Sequence, residues 1–369
     1  MNIPVNQPII TENAKRYVAE AMESGWISSA GAYIDRFEKE FASYLGVKHA
    51  VTTTSGTTAI HLACATIGIG PGDEVIVPDF TMMGSVLPVL YCGATPIFVD
   101  AEPETFTIDP ELIESKITHK TKAIMPVHLY GHSADMDRVL SIAKKYKLFV
   151  IEDAAEAHGA LYNGQLCGSM GTIGCFSFYA NKIITTGEGG MLVTNDDQLA
   201  RHARILKDLA HSEKKRFWHE EIGYNYRMTN LQAAVGLGQL EHIDEFIQKK
   251  QWMADRYRQN LKEIKGLRLP ITKKNALNVY WMYGVLVEDE FPLSRDELRP
   301  ALKKYGIDTR DFFFSSAAQP VLKHLPSAKE SFPVSTWLSE RGFYLPSGLA
   351  LTEEQIQYVC DSLRNIATS

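Results

Sequence analysis

The chain has 369 residues, of which 45% are hydrophobic and 22% charged, so it has enough apolar material for a large globular core. Its formal net charge of −6 gives no electrostatic reason to expect nucleic acid or an anionic membrane surface as a partner. No stretch is long and apolar enough to cross a bilayer, and the five cysteines are scattered without a CxxC pair, so we expect a reduced cytoplasmic protein without a metal site. Small-molecule chemistry is the class of function that remains.

Two helices are predicted at the start of the chain. Residues 11–24 begin with a threonine suited to capping, place apolar residues at helical spacing and stop at Gly25. Residues 34–45 repeat this pattern and stop at Gly46. The segment 49–78 then alternates a short apolar strand, a turn, a helix, a loop and a second strand. This order predicts a β-turn-α-β unit.

The turn of that unit, Ser55-Gly56-Thr57-Thr58, stands where the helix begins. Free N–H groups at a helix start attract anions, and a glycine lets a phosphate approach them closely. A capped helix end that binds nothing is the alternative, because Ser and Thr are common caps. The turn lacks the GxxxxGK[ST] pattern of a P-loop. On its own it is therefore a candidate phosphate site only.

Further apolar strands end near Asp100, around Val127 and at Asp153, and helices separate them. Continuous apolar strands that alternate with helices predict an α/β fold with a mainly parallel sheet covered by helices on both faces. Ligands bind at the carboxyl ends of the strands in such sheets. The polar candidates expected at that edge are Ser55 to Thr58, Asp79 to Met82, His128, Asp153 and Lys182.

The second half of the chain predicts a helix over 196–208, then an aromatic loop with Phe217, Trp218 and His219. Aromatic rings beside cations suit a stacked, phosphate-bearing ligand, and an interface patch fits them equally well. One long helix is expected from Thr229 to about residue 264, followed by a smaller α+β unit. We therefore expect a large domain over 1–245 and a small domain over 246–369.

Lys182 lies between an apolar strand and a glycine-rich turn. A lone lysine at a strand end is usually solvated. Together with a phosphate site at a helix start and Asp153 at a neighbouring strand end, however, it completes the set of groups that pyridoxal phosphate needs. Lys182 would condense with the aldehyde, Asp153 would keep the pyridine nitrogen protonated, and Ser55 to Thr58 would bind the phosphate.

The chain also resembles the DegT-type sugar aminotransferases, which have fold type I. The matching segments, in order, are GWISSAGAYIDRFE, SGTTAIHL, GIGPGDEVIVP, GATPIFVD, HLYG, IEDAAEAHG, FSFYANKIITTGEGG and GYNYRMTNLQAA. Within that family it is most similar to the GDP-perosamine synthases, which also share KRFWHEEIGYNYRMTN. The resemblance implies transfer of an amino group from glutamate to a nucleotide-linked 4-keto-6-deoxy sugar, for O-antigen or another surface polysaccharide.

Residues carried over from the family pattern follow the same chemistry. Lys182 matches the lysine that holds the cofactor, Asp153 its pyridinium partner and Glu156 a residue near its 3-oxygen. Asn225 matches an asparagine that reaches the cofactor of the neighbouring subunit, which implies a homodimer with shared sites. The other expected cofactor contacts are Ser55, Gly56, Thr57, Met82 and Ser177, and the expected substrate contacts are Phe217, Trp218, His219 and Arg310.

Two departures from the family pattern leave the substrate open. Met82 stands where relatives usually stack an aromatic ring, and Ser316 and Ala317 replace a proline and a histidine that usually follow the aromatics after Arg310. A dTDP- or UDP-linked sugar is therefore an alternative, as is a non-catalytic protein that binds the cofactor. An enzyme of free amino acids would use a C-terminal arginine for the α-carboxylate, for which Arg310 and Arg341 are available.

Overall fold

The computed structural model describes residues 1–212, 214–215 and 217–368. Arg216, which belongs to the KRFWHEE motif, therefore lies outside the described residues. The helices are α1 Glu12–Ser24, α2 Ala32–Leu45, α3 Gly56–Thr66, α4 Met83–Tyr91, α5 Pro110–Ile113, α6 Met136–Tyr146, α7 Asp197–Lys207, α8 Asn230–Leu240, α9 Ile243–Leu261, α10 Arg295–Lys304, α11 Pro333–Arg341 and α12 Glu353–Thr368. No helix in the described part of the chain is long and apolar enough to span a membrane.

The strands form three sheets. They are β1 His49–Thr53, β2 Glu74–Pro78, β3 Thr95–Val99, β4 Thr121–Ile124, β5 Phe149–Asp153, β6 Leu161–Tyr162, β7 Gln165–Leu166, β8 Ile173–Ser177, β9 Gly190–Thr194, β10 Leu267–Arg268, β11 Ala276–Leu277, β12 Tyr283–Val287, β13 Arg310–Asp311 and β14 Gly342–Leu345. The large sheet has seven strands in the order β1-β9-β8-β5-β4-β2-β3. Strands β10, β12, β14 and β13 form the second sheet, and β11, β6 and β7 form the third.

The predicted mainly parallel sheet is confirmed. Strands β3, β2, β4, β5 and β8 pair in parallel, and only β9 runs against its neighbours β8 and β1. One apolar core, which includes Val51, Val77 and Ile151, lies beneath α3 and α4. On the opposite face, Phe37 and Phe41 of α2 pack against Phe178. The centroid of the Phe178 ring lies 5.1 Å from that of Phe37 and 5.4 Å from that of Phe41. Helices therefore cover both faces of the sheet, as expected.

The capping signals of the sequence act as predicted at the two opening helices. The Thr11 hydroxyl accepts a hydrogen bond from the N–H of Ala14, which satisfies one of the free donors at the start of α1. Gly25 and Gly46 follow α1 and α2 with φ of 73° and 69°, a conformation that glycine adopts without strain.

The prediction of a single long helix from Thr229 is wrong. Helix α8 ends at Leu240, and α9 starts at Ile243 after His242, whose φ of −115° and ψ of 12° are not helical. The two helices pack against different partners, since α8 lies on α1 and α2 whereas α9 lies on α12. At the break, the Glu241 carboxylate accepts a hydrogen bond of 2.8 Å from Tyr17 of α1. Tertiary contacts thus override a helical pattern that is continuous in the sequence.

Candidate active site

A cavity of about 470 Å³ opens at the carboxyl-end edge of the large sheet. All of the predicted cofactor residues except Asn225 line it, and so does Arg310. Its lining is Ser55, Gly56, Thr57, Ile60, Met82, Gly84, Ser85, Val127, Asp153, Ala155, Glu156, Ser177, Tyr179, Asn181, Lys182, Glu188, Trp281, Arg310, Phe313 and Tyr344. Residues from well-separated parts of the sequence therefore meet in one place, because strands β1, β2, β5 and β8 all end at this edge.

The start of α3 forms one wall of the cavity. Ser55 caps the helix, with its hydroxyl accepting from the N–H of Thr58 and its own N–H donating to the Thr58 hydroxyl. A Cβ atom on Gly56 would lie 2.7 Å from Cβ of Ser177, so only glycine lets β8 and α3 approach this closely. The hydroxyl of Ser177 and the helix start consequently share one corner, which has the donors that an anion requires.

Asp153 is the last residue of β5 and is 4% exposed. Its Oδ2 accepts a hydrogen bond of 2.6 Å from the Ser85 hydroxyl, and its Oδ1 accepts one of 3.1 Å from the N–H of Ala155. The Ser85 hydroxyl lies 3.0 Å from that of Thr81, which extends the network. The sequence interpretation missed Ser85, although it lies only a few residues beyond the strand-end segment Asp79 to Met82.

Lys182 lies in a loop that leaves β8 and folds back, since the N–H of Thr186 donates to the carbonyl of Phe178. Its side chain is 9% exposed, and Nζ is 3.5 Å from Oε1 of Glu156. Burial lowers the pKa of the Lys182 amine, and the carboxylates of Glu156 and Asp153 offset part of this effect. The lysine therefore has the enclosed position and the shifted pKa expected of a reactive amine.

Glu156 is held from two sides. Its Oε2 accepts a hydrogen bond of 2.9 Å from the N–H of Tyr130, and its Oε1 faces Lys182. Burial raises the pKa of this carboxyl group above its ordinary value, although Lys182 and the Tyr130 N–H act in the opposite direction. Glu156 can thus keep a fixed orientation while it shares a proton with a partner.

The sequence interpretation largely missed the side of the cavity that Trp281, Phe313 and Tyr344 form near the second sheet. The indole of Trp281 covers the Lys182 amine, with Nζ 3.7 Å from the ring centroid, and its Nε1 donates to the carbonyl of Asn181 at 2.8 Å. Arg310 at the start of β13 is exposed at the cavity, near Tyr344, whose pKa burial raises to about 12. A tryptophan just before an apolar strand was the available sequence signal for Trp281.

Four predicted site residues lie elsewhere in this chain. Asn225 does not line the cavity, and its Oδ1 accepts a hydrogen bond of 3.0 Å from Nε of Arg227. Phe217 and Trp218 are 72% and 54% exposed, and His219 bonds through Nδ1 to the carbonyl of Leu209. None of these four residues is among those that line the cavity of this chain.

Two other strand-end candidates are buried outside the cavity lining. His128 bonds through Nε2 to Glu152 at 2.9 Å and through Nδ1 to the N–H of Ala134. Asp79 is fully buried, and burial raises the pKa of its carboxyl group to about 6. Met82, in contrast, lines the cavity with 52% of its surface exposed, and its sulfur accepts from the N–H of Gly84.

Comparison with known proteins agrees with this geometry. The model of the DegT/DnrJ/EryC1/StrS aminotransferase family matches residues 8–364. The chain belongs to this family. It is 45% identical over 366 residues to the GDP-perosamine synthase of Caulobacter vibrioides, covering 99% of this chain and 98% of that protein.

Solved structures give the same picture. DesV of S. venezuelae is 37% identical and superposes with a TM-score of 0.91, covering 96% of this chain and 94% of that one. Spr1654 of Streptococcus pneumoniae in its PLP form is 27% identical with a TM-score of 0.91, covering 100% of this chain and 99% of that one. The fold predicted from the resemblance is therefore confirmed.

Proposed function

We propose that this protein is a pyridoxal-phosphate-dependent aminotransferase that moves an amino group from L-glutamate to a nucleotide-linked 4-keto-6-deoxy sugar, as a GDP-perosamine synthase does. Its place would be in the synthesis of O-antigen or another surface polysaccharide. The observation that carries the proposal is the enclosure of Lys182, Asp153 and the start of α3 in one cavity. The 45% identity to a GDP-perosamine synthase supports the choice of substrate.

The cavity fits pyridoxal phosphate on chemical grounds. The close approach of Gly56 to Ser177 brings the N–H groups at the start of α3 and the Ser177 hydroxyl into one corner that suits the phosphate, and a Cβ at Gly56 would come within 2.7 Å of Cβ of Ser177. Asp153, oriented by Ser85, can hold a proton on the pyridine nitrogen. Lys182 carries the amine that would hold the aldehyde.

When bound, pyridoxal phosphate supplies an aldehyde that takes up the amino group and a pyridinium ring that withdraws electrons from the donor's Cα. Lys182 serves as the general base and acid, because burial lowers the pKa of its amine and Nζ can accept and return a proton. Glu156 stabilises the protonated Nζ at 3.5 Å. Burial of the lysine under Trp281 excludes water from the proton transfer.

We further propose a cytoplasmic homodimer with shared active sites. The positions of Asn225, Phe217, Trp218 and His219 outside the cavity of their own chain support this, because the family pattern assigns Asn225 to the neighbouring subunit's cofactor. We retain a boundary near residue 245 between the cofactor domain and the small domain. The strands of the second sheet, which all lie between Leu267 and Leu345, support that division.

The test is a substrate panel. Protein loaded with pyridoxal phosphate is mixed with glutamate and with GDP-, dTDP- or UDP-linked keto sugars, and 2-oxoglutarate and amino sugar are measured by mass spectrometry. We expect amination of GDP-4-keto-6-deoxymannose. Release of 2-oxoglutarate from glutamate distinguishes an enzyme from a protein that only binds the cofactor.

Two outcomes would contradict the proposal. Full multiple-turnover activity of Lys182→Ala without added amine would remove the central role of the lysine. Amination restricted to ketones without a nucleotide would refute the sugar-nucleotide assignment. Ser115→Ala, which changes an exposed surface hydroxyl, is the matched control for protein handling and is expected to keep wild-type rates.

A further inference from the structure

Lys250 is a buried lysine outside the cavity. It lies on α9, is 2% exposed, and donates from Nζ to the carbonyl of Trp281 at 2.7 Å and to the carbonyl of Ser347. Among the described residues, no carboxylate forms an ion pair with it, and burial lowers the pKa of its amine to about 7. A buried amine without an ionic partner is costly, so its two hydrogen bonds need a reason.

The two carbonyls lie where a pair of strands separates. Strands β12 and β14 pair in antiparallel register up to Tyr283 and Leu345, and Trp281 and Ser347 follow two residues beyond that last pair in the same register. Lys250 therefore binds one carbonyl from each of the two segments that continue beyond the last pair of β12 and β14. The N–H of Tyr283 donates to the Ser347 hydroxyl at 2.9 Å, which fixes the same junction.

Trp281 connects this junction to the proposed catalytic amine. Its carbonyl is bound by Lys250, its Nε1 donates to the carbonyl of Asn181 at 2.8 Å, and its ring lies 3.7 Å from Nζ of Lys182. The side chain is 3% exposed, so the indole fills the space above the amine. Any shift of the Trp281 backbone would consequently move the ring relative to Lys182.

We propose that Lys250 is a positioning residue, which fixes the backbone of Trp281 so that the indole covers the Lys182 amine. The inference rests on the proposed function for its catalytic meaning, but the geometry that it predicts can be measured without cofactor or substrate. A merely structural lysine would stabilise the junction of β12 and β14 without changing the environment of Lys182.

The test measures access to the Lys182 amine in the apo protein. Formaldehyde with cyanoborohydride methylates lysine amines, and peptide mass spectrometry follows methylation of Lys182 over time under mildly alkaline conditions. Trp281→Leu removes the ring and is expected to raise the methylation rate at least about threefold. Lys250→Met is expected to raise it in the same direction, and the double variant to match Trp281→Leu alone, because residues that act through one another are not additive.

Lys249→Met is the matched control. Lys249 is the preceding residue on α9, and its Nζ also stacks on an indole, that of Trp252 at 3.7 Å, away from the cavity. Its loss is expected to leave Lys182 methylation at the wild-type rate. If Lys250→Met does not fold, as judged by circular dichroism, the shorter and polar Lys250→Gln takes its place and the same outcomes apply.

Either of two results would overturn the inference. One is wild-type methylation of Lys182 in a folded Lys250 variant, and the other is a double variant whose effect is the product of the single effects. Catalytic assays then test the consequence for the reaction. Lys250→Met is expected to lower kcat more than it raises KM for the sugar. Inactive wild-type protein with the predicted methylation pattern would count against the proposed function and not against the positioning by Lys250.

Discussion

Gly56→Ala probes the corner in which α3 meets β8. The added Cβ would lie 2.7 Å from Cβ and 3.2 Å from both Cα and Oγ of Ser177, so part of the obstacle is backbone that cannot rotate away. Overpacking of this kind costs about 1–3 kcal/mol, whereas replacing glycine by alanine in a helix gains about 1 kcal/mol. We expect a net loss of stability of about 0–2 kcal/mol.

The effect on cofactor binding should be larger and specific. Displacing the Ser177 hydroxyl would remove its proposed hydrogen bond to the charged phosphate, and such a bond contributes about 1.5–3 kcal/mol, or roughly tenfold to hundredfold in affinity. Titration of the apo protein, followed by the absorbance of the bound cofactor, measures the dissociation constant. Pyridoxal, which lacks the phosphate, is titrated in parallel and is expected to bind wild type and Gly56→Ala almost equally.

Gly70→Ala is the matched control, because a Cβ at Gly70 has no neighbour within 4 Å. It should bind pyridoxal phosphate as wild type does. Unchanged affinity of Gly56→Ala for pyridoxal phosphate would refute the proposed phosphate corner. An equal loss for pyridoxal and its phosphate would show that the substitution acts on the cavity as a whole.

Three further substitutions test the electrostatics of the chain. Ser85→Ala removes the 2.6 Å hydrogen bond to Asp153 and should lower kcat about tenfold to hundredfold, with little change in the KM for glutamate. Glu38→Gln breaks a buried ion pair of 3.1 Å with Lys207 and should cost about 3–5 kcal/mol of unfolding free energy at neutral pH, measured with urea. Lys250→Met removes an amine whose pKa burial lowers from 10.5 to about 7. Because the unfolded wild type binds this proton before the folded protein does, the stability of the variant relative to wild type should rise as pH falls through that interval.

The pH dependence has a definite sign in each stability experiment. Burial alone would raise the pKa of Glu38, but Lys207 and Arg204 hold it below its ordinary value, so the pair stabilises the protein above that value and is lost as pH falls. The difference between Glu38→Gln and wild type should therefore shrink in acid, and a constant difference would contradict the ion pair. For Lys250, equal pH profiles of variant and wild type would contradict the lowered pKa of its amine. Ser85→Ala with wild-type kcat would contradict a role of Ser85 in orienting Asp153.

The sequence predicted those parts of the site that depend on local order. Asp153 ends an apolar strand and the Ser55 turn starts a helix. Each of these patterns is visible in a few consecutive residues of the sequence. The parallel sheet then brings them to one edge, because all of its parallel strands end there. Trp281, Phe313 and Tyr344 could not be assigned in this way, since they reach the cavity through the pairing of β14 with β12 and β13, which are far apart in the sequence.

The departure at Ser316 and Ala317 is clearer in the structure than in the sequence. Neither residue lines the cavity, Ser316 is fully buried, and the N–H of Ala317 donates to Asp79 at 2.7 Å. Asp79 follows β2 of the large sheet, so this bond joins the loop after Arg310 to the edge of that sheet. Ser316 and Ala317 therefore hold this loop to the edge of the large sheet without facing the cavity, and we propose that direct recognition of the sugar falls to residues that do face it, such as Arg310.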